Sequence, residues 1–346
     1  MSADTDLRRR GAWELGLVLM LALAGCSVFP NLPVEGPDGS IAVVLSSSGE
    51  YDFFGPGVVW VLDPVGNPAG EPFVPEEAQV VQVCDASLEG WLLLVVDTDE
   101  YGLPVASRLL EWSPGRAVRE VFACPDLLFS PRYAGDKRVL FLRAEGESVA
   151  LWGVDRETGE ADRFESGVLA FRAAGDRTAV LSADGTFSWL GEGRLPVRIA
   201  VGNEREATFL FFSSVSLALD PAGRYLAISL DDEPAVVEPQ AEPVPTLYLV
   251  DLEEGRVTRI ATPAISPVFA PDGERVAFVA QALDRPVQGV FVCDLATREI
   301  APVPGSEGAL WVRWGKNGLL AAIEGDQPRL VRLVDGEAAD LLSRQR

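Results

Sequence analysis

Ala270-Pro271-Asp272-Gly273-Glu274-Arg275-Val276-Ala277-Phe278-Val279 reads as a tight turn followed at once by an apolar strand. Proline presets φ at the first central position of a type I turn, aspartate suits the second, and glycine takes the left-handed position that follows. Such a turn joins two antiparallel strands through a short bulged hairpin loop. The arrangement recurs at Pro37-Asp38-Gly39 before Ile41 and at Pro221-Ala222-Gly223 before Leu226, with weaker copies ending at Gly90, Gly135, Gly175 and Gly318. The seven glycines lie 40–51 residues apart. A period of that size marks a solenoid or a propeller.

The strand after each turn is apolar almost throughout rather than alternating, which is how a strand reads when both faces of its sheet are covered. In a propeller each blade is sandwiched between two neighbours, so no helices are needed. None are predicted between the strands, which disfavours a βαβ architecture. A second element keeps the same phase: Trp60-Val61-Leu62-Asp63, Trp152-Gly153-Val154-Asp155, Tyr248-Leu249-Val250-Asp251 and Phe291-Val292-Cys293-Asp294. The aromatic fits a blade-to-blade packing position and the aspartate opens the next turn. The fourth and seventh units keep part of this pattern, and the second departs from it furthest.

The stretch Ser266-Pro267-Val268-Phe269-Ala270-Pro271-Asp272-Gly273 and its continuation to Phe278 resembles the repeat motif of TolB-type, WD-repeat-like β-propellers. The phase of the likeness covers about residues 37–340. It implies four-stranded blades around a central channel. The residues before Pro37 leave no room for the N-terminal α/β domain of TolB, so the likeness is to the repeat module. The expected fold is therefore all-β: a β-propeller of four-stranded antiparallel blades, with seven blades. The degenerate second unit leaves six or eight as alternatives. Ring closure calls for a last pairing from the segment before Pro37 or from the tail at 338–342.

The N-terminus bears on location. Arg8-Arg9-Arg10 is a basic stretch, 15–24 is apolar, and Leu23-Ala24-Gly25-Cys26 matches the bacterial lipobox, whose cysteine is lipidated and becomes the first mature residue. Ten apolar residues fall short of the roughly 20 that span a bilayer; an ordinary secretory signal is the other reading. The predicted organisation is a cleaved signal peptide at 1–25, a lipidated Cys26 with a short tether at 26–36, and one propeller domain at 37–346. Ser27 resembles an outer-membrane sorting residue. The expected location is extracytoplasmic, lipid-anchored to the cell membrane or the outer membrane of a bacterium, with the lipid as the only membrane contact.

The formal net charge is −23, and removal of 1–25 takes away equal numbers of acids and arginines. So acidic a body repels nucleic acid and anionic lipid surfaces. No nucleic-acid partner is expected. An exported chain permits disulfides, and a Cys84–Cys124 bridge and a pair of free thiols both stay open. Cys293, inside an apolar strand, reads as a buried thiol.

The sequence contains no histidine. That excludes Ser-His-Asp and Cys-His nucleophile systems and His-ligated metal sites built from this chain. No Gly-x-Ser-x-Gly elbow is present. Carboxylate chemistry remains, yet among so many acids some pair meets the roughly 5–10 Å spacing of glycosidases by chance. Ser182-Ala183-Asp184-Gly185-Thr186 brushes against a sialidase Asp-box but reads as a tight turn. On this basis the chain is expected not to be an enzyme.

Loop lengths carry the remaining information. The loops on the face opposite the glycine turns are long at 46–57, 97–107, 231–245 and 281–289 and short in the other units. Long loops on a rigid scaffold are where binding usually resides. Two open with acid clusters, Asp97-Thr98-Asp99-Glu100 and Asp231-Asp232-Glu233; solvated strand-end charge and Ca²⁺ binding are both open readings, and no other cofactor is expected. Tyr51, Phe53, Phe54 and Tyr101 add aromatics that suit a contact surface or cap the blade ends. The predicted function is a membrane-anchored binding or scaffolding module of the cell envelope, contacting an envelope protein or a small ligand through this face. The alternative is an exported carbohydrate-active enzyme using carboxylates at the channel mouth.

Overall fold

The computed structural model describes residues 32–46, 57–76, 79–101, 103–146, 148–174, 177–182, 186–190, 197–198, 216–232, 244–281, 288–324, 329–334 and 337–342. They form seven antiparallel sheets, each made of consecutive strands. The first comprises β1 (Val34–Glu35), β2 (Ile41–Leu45) and β3 (Val58–Leu62), and its outer edge is completed by bridges from Phe73 to Val59 and Pro68 to Leu62. The second is β4 (Gln79–Ala86), β5 (Trp91–Thr98), β6 (Pro104–Trp112) and β7 (Arg119–Cys124). The third is β8 (Leu128–Ala134), β9 (Arg138–Glu145), β10 (Ser148–Asp155) and β11 (Ala161–Ser166); the fourth is β12 (Val168–Ala174), β13 (Arg177–Ser182), β14 (Thr186–Trp189) and β15 (Val197–Arg198). The fifth is β16 (Ser216–Leu219), β17 (Tyr225–Asp232), β18 (Val244–Asp251) and β19 (Arg256–Ala261). The sixth is β20 (Ala264–Phe269), β21 (Arg275–Gln281), β22 (Gln288–Asp294) and β23 (Ile300–Pro302); the seventh is β24 (Ala309–Gly315), β25 (Gly318–Ile323), β26 (Arg329–Val334) and β27 (Glu337–Asp340). The fold is a seven-bladed β-propeller.

Two compact units divide the chain: residues 1–63, 68–133 and 137–167 hold the first three sheets, and the remainder holds the other four. Within each unit the second strand of a sheet is buried on both sides, for the reason its sequence suggests. In β21, Val276, Phe278 and Ala280 pack with Leu247 and Leu249 of the fifth sheet, while Ala277 and Val279 pack with Val312 and Leu319 of the seventh. In β5, Trp91, Leu93 and Val95 face the first sheet, and Leu92 and Leu94 face Val139 and Phe141 of the third. Alternate side chains thus serve two different cores, and polar residues stand only at the strand ends, at Asp97 and Thr98 in β5 and at Arg275 and Gln281 in β21.

The two repeated motifs do what their residues suggest. Gly39, Gly223 and Gly273 have φ of 87°, 69° and 73°, and Gly273 N donates to Ala270 O at 2.9 Å. Trp152, Tyr248 and Phe291 each pack into the core shared with the preceding sheet. The aspartates that follow close the next turn in one common way. Asp155 Oδ1 accepts the amides of Glu157 and Thr158, Asp251 Oδ1 those of Glu253 and Glu254, and Asp294 Oδ1 those of Ala296 and Thr297, all at 2.8–3.0 Å.

Both chain ends supply pairings, as expected: β1, before Pro37, pairs with β2, and β27, from the tail, is the fourth strand of its own sheet. The second unit, weakest in sequence, forms a full four-stranded sheet. Cys84 and Cys124 are both free and buried. They lie on β4 and β7, the two outer strands of one sheet, three strand spacings or about 14 Å apart, whereas a disulfide needs Cα atoms within about 7 Å.

Candidate functional site

Strand β5 runs to Thr98 and β6 begins at Pro104, so the loop expected at 97–107 is in fact a hairpin whose tip is only 99–103. Asp97 belongs to the ladder, opposite Ala106, and its Oδ1 accepts from Arg108 Nη2 at 2.9 Å. Asp99 builds the tip. Its amide donates to Leu103 O at 2.8 Å, and its Oδ1 accepts the amides of Tyr101 at 2.9 Å and Leu103 at 2.8 Å. Both neighbours of Glu100 are thereby fixed, and Tyr101 is held out to solvent with 80% of its surface exposed; Val105, on the same hairpin, is 51% exposed.

The same end of the third sheet carries a paired polar network. Arg143 Nε donates to Asp126 Oδ2 at 2.8 Å, its Nη2 donates to the same oxygen, and its guanidinium lies 4.7 Å from the Trp152 ring centre. Trp152 Nε1 donates to Glu145 Oε1 at 2.7 Å, and Arg163 Nη2 pairs with Glu145 Oε2 at 2.7 Å. Each of these carboxylates is committed to an arginine, an indole or a backbone amide. What this end offers a ligand is therefore shape and aromatic surface on rigid supports.

The remaining candidates do not join this group. Asp231 and Asp232 lie in β17, paired with Pro245 and Val244, so that loop too is shorter than its sequence span. Cys26, Tyr51, Phe53, Phe54 and Glu233 lie outside the described residues, as do 47–56, 233–243 and 282–287. Among the described residues no group of three or more acids or cysteines is placed to hold a metal ion, so the Ca²⁺ reading finds no site among them.

Sequence reasoning missed a second cluster, at the glycine-turn end of the first unit. Arg156 Nε donates to Glu111 Oε1 at 2.5 Å and Nη2 to Glu89 Oε2 at 2.8 Å, and its guanidinium stacks 4.9 Å from the Tyr133 ring centre. Arg119 Nε donates to Glu111 Oε2 at 3.0 Å, and Arg119 Nη1 to Arg156 O at 3.1 Å. Side-chain exposure is 7% for Arg156 and 12% for Glu111. Burial pushes the Glu111 carboxyl up, but the hydrogen bonds and charges of Arg156 and Arg119 outweigh it and hold its pKa below the ordinary value. Burial, with the Glu111 charge beside it, pushes the Tyr133 phenol up. The signal was present in sequence: Asp155-Arg156 stands where other turns read Asp251-Leu252 and Asp294-Leu295, and both of those leucines fill the core toward the preceding sheet.

No protein-family model and no curated protein matches the chain in sequence. Solved structures do match in fold. The β-propeller domain of the Trilobed protease from Pyrococcus furiosus, described as having an open velcro topology, is 13% identical, with a TM-score of 0.58 over 90% of this chain and 95% of that one. The acylaminoacyl peptidase of Pyrococcus horikoshii is 12% identical, with a TM-score of 0.57 over 90% of this chain and 52% of that one. An oligogalacturonate lyase from Vibrio parahaemolyticus is 8% identical, with a TM-score of 0.57 over 88% of this chain and 89% of that one. The chain spans 39% of the tricorn protease and 59% of TolB from Acinetobacter baumannii, at TM-scores of 0.49 and 0.44. At these identities the likeness is one of fold. The propeller implied by the repeat motif is present.

The expectation that the chain is not an enzyme is overturned by these neighbours. Peptidases contain this fold, and the lyase matches along 89% of its chain. Lack of histidine and of a nucleophile elbow removes particular mechanisms and leaves catalysis by other groups open. Among the described residues no helix is long and apolar enough to cross a membrane; the signal-peptide reading falls on residues outside them.

Proposed function

We propose that this chain is an exported, lipid-anchored β-propeller that serves as a binding module of the cell envelope, presenting the loop end of its first three sheets. The hairpin tip carries the reading. Asp99 uses its carboxylate to close the turn, so Tyr101 is displayed on a backbone that is already ordered. A contact group fixed in advance loses little conformational entropy on binding, and exposed aromatics on rigid supports are typical contact anchors. The Arg143–Trp152–Glu145 network beside it gives the same end a second firm surface.

Anchoring and export rest on the Leu23-Ala24-Gly25-Cys26 lipobox and the basic and apolar stretches before it. Two measurements test the proposal. The N-terminal peptide of the protein from its native membrane should carry diacylglyceryl on Cys26, and a Cys26→Ser variant should lose membrane association. Substituting Tyr101→Ala should leave the melting temperature unchanged while reducing recovery of whatever binds the native protein. Unmodified Cys26, or undiminished recovery with Tyr101→Ala, would reject the corresponding half.

A further inference from the structure

The described chain enters its first strand at the end that carries the hairpin tip. Val34 pairs with Ala42 and Glu35 with Ile41, so the chain enters the first sheet from its loop end and runs toward the turn at Gly36. That turn lies beside the start of β5: a Cβ on Gly36 would come 3.0 Å from the Trp91 ring. Strand β5 therefore leads away from Gly36, back toward the end from which the chain entered.

The distances agree. Leu32 lies six positions beyond Cys26, a path of at most about 21 Å. At about 3.3 Å per residue, the tip beyond Thr98 stands about 15–20 Å further out than the level of Leu32. A bilayer that holds Cys26 thus cannot retreat more than a few ångströms past the tip, and a shorter path lets the two meet.

We propose that the β5–β6 tip, Tyr101 with Val105, seats in the headgroup region of the bilayer that carries the Cys26 lipid. This rests on the lipid-anchor reading and replaces the expectation that the lipid alone meets the membrane. A tyrosine ring is apolar in its body and polar at its hydroxyl, which suits the water–lipid boundary. Asp97 is paired with Arg108 and Asp99 already accepts two amides. The charge left to solvate at the tip is therefore that of Glu100, which the ammonium groups of zwitterionic headgroups can meet. A single tyrosine binds bilayers weakly. Tethering makes the contact intramolecular, however, at an effective concentration of order millimolar. The favoured surface is zwitterionic, since a chain of net charge −23 is repelled by anionic lipid.

Hydroxyl-radical footprinting tests this on the chain 26–346, coupled through the Cys26 thiol to a maleimide lipid in phosphatidylcholine–phosphatidylethanolamine vesicles. Artificial coupling separates the contact from natural lipidation, which is read from the native N-terminal peptide. Oxidation of Tyr101 and Val105 should fall several-fold on coupling. Leu88, 91% exposed in the turn at the other end of β5, should be unchanged, and phosphatidylglycerol should restore Tyr101 oxidation. Unchanged Tyr101, equal protection of Leu88, or protection that needs an added envelope protein extract overturns the proposal. A chain with Tyr101→Ser should keep its melting temperature and lose the protection at Val105; if Val105 stays protected, the tyrosine is not the contact.

Discussion

Arg156 Nε donates to Glu111 Oε1 at 2.5 Å across the junction of the second and third sheets, at the turn position that Leu252 and Leu295 fill with apolar bulk elsewhere. One junction within the first unit is therefore locked by charge where its counterparts are greasy.

Removing Glu111 leaves the buried Arg156 with the exposed Glu89 as its remaining carboxylate partner, and Glu111→Ala should cost about 3 kcal/mol, the lower end for a broken buried pair. Replacing both partners, Arg156→Leu with Glu111→Leu, should cost far less, since buried ion pairs exchanged for packed apolar groups are often close to neutral. Urea unfolding of the two singles and the double gives the coupling energy. Additive losses would mean that the pair does not act as a unit.

Acid should weaken the fold through the turn aspartates. The amides of Thr158 and Glu157 hold Asp155 below its ordinary value, and those of Thr297 and Ala296, with the Thr297 hydroxyl, do the same for Asp294. Burial pushes Asp251 up, but the Glu254 and Glu253 amides and Arg224 outweigh it. A depressed folded pKa contributes stability that is fully present above the unfolded value and is lost as pH falls through the folded one. Unfolding free energy should begin to decline below the ordinary glutamate value of 4.5, through Glu111, and fall more steeply below the ordinary aspartate value of 3.8. Asp294→Asn, which keeps the accepting oxygen and cannot titrate, should flatten that decline in denaturant titrations at stepped pH.

Two left-handed glycines should respond differently to alanine. Gly115, with φ of 73°, has nothing within 4 Å of an added Cβ, so Gly115→Ala should cost only the backbone penalty of about 1–2 kcal/mol. At Gly66, φ is 95° and the Cβ would sit 2.2 Å from Leu341 O. There the penalty adds to a clash with main chain, and Gly66→Ala should lower the melting temperature clearly more.

Native thiol reactivity should be close to nil. Burial pushes the Cys84 thiol up to about 12 and raises Cys124 and Cys293 as well. Thiolate is the reactive form, so iodoacetamide at pH 8 should leave all three unmodified until denaturant is added. Intact mass without reductant should show three free thiols in a chain carrying Cys26→Ser.

Phenylalanine 278 closes one of the two cores served by β21. Phe278→Ala should cost about 3–5 kcal/mol, read as a shift in the urea midpoint.

Much of the architecture was legible because the repeat is built from backbone requirements. A glycine at positive φ and an aspartate accepting two amides are needed wherever that turn occurs, whatever packs around it. Apolar runs such as Val276–Val279 report two-sided burial directly, since each alternate residue meets a different neighbour. Loop extents were not legible. Asp97 and Asp231 look like loop residues by composition, yet each lies in an extended ladder, and for Asp97 the cause is visible in Arg108, a cross-strand partner that sequence order hides. The Glu111–Arg156 lock escaped for the same reason: its members are 45 residues apart. Non-enzymatic function was inferred from missing motifs, and a fold shared with a lyase shows how little such gaps decide.

Among the described residues every sheet is built of strands that follow one another along the chain, so none of them waits for a segment made much later. For a polypeptide threaded outward from its N-terminus, each sheet has all its strands as soon as they emerge, and premature termination would leave whole sheets rather than a ring of half-built ones.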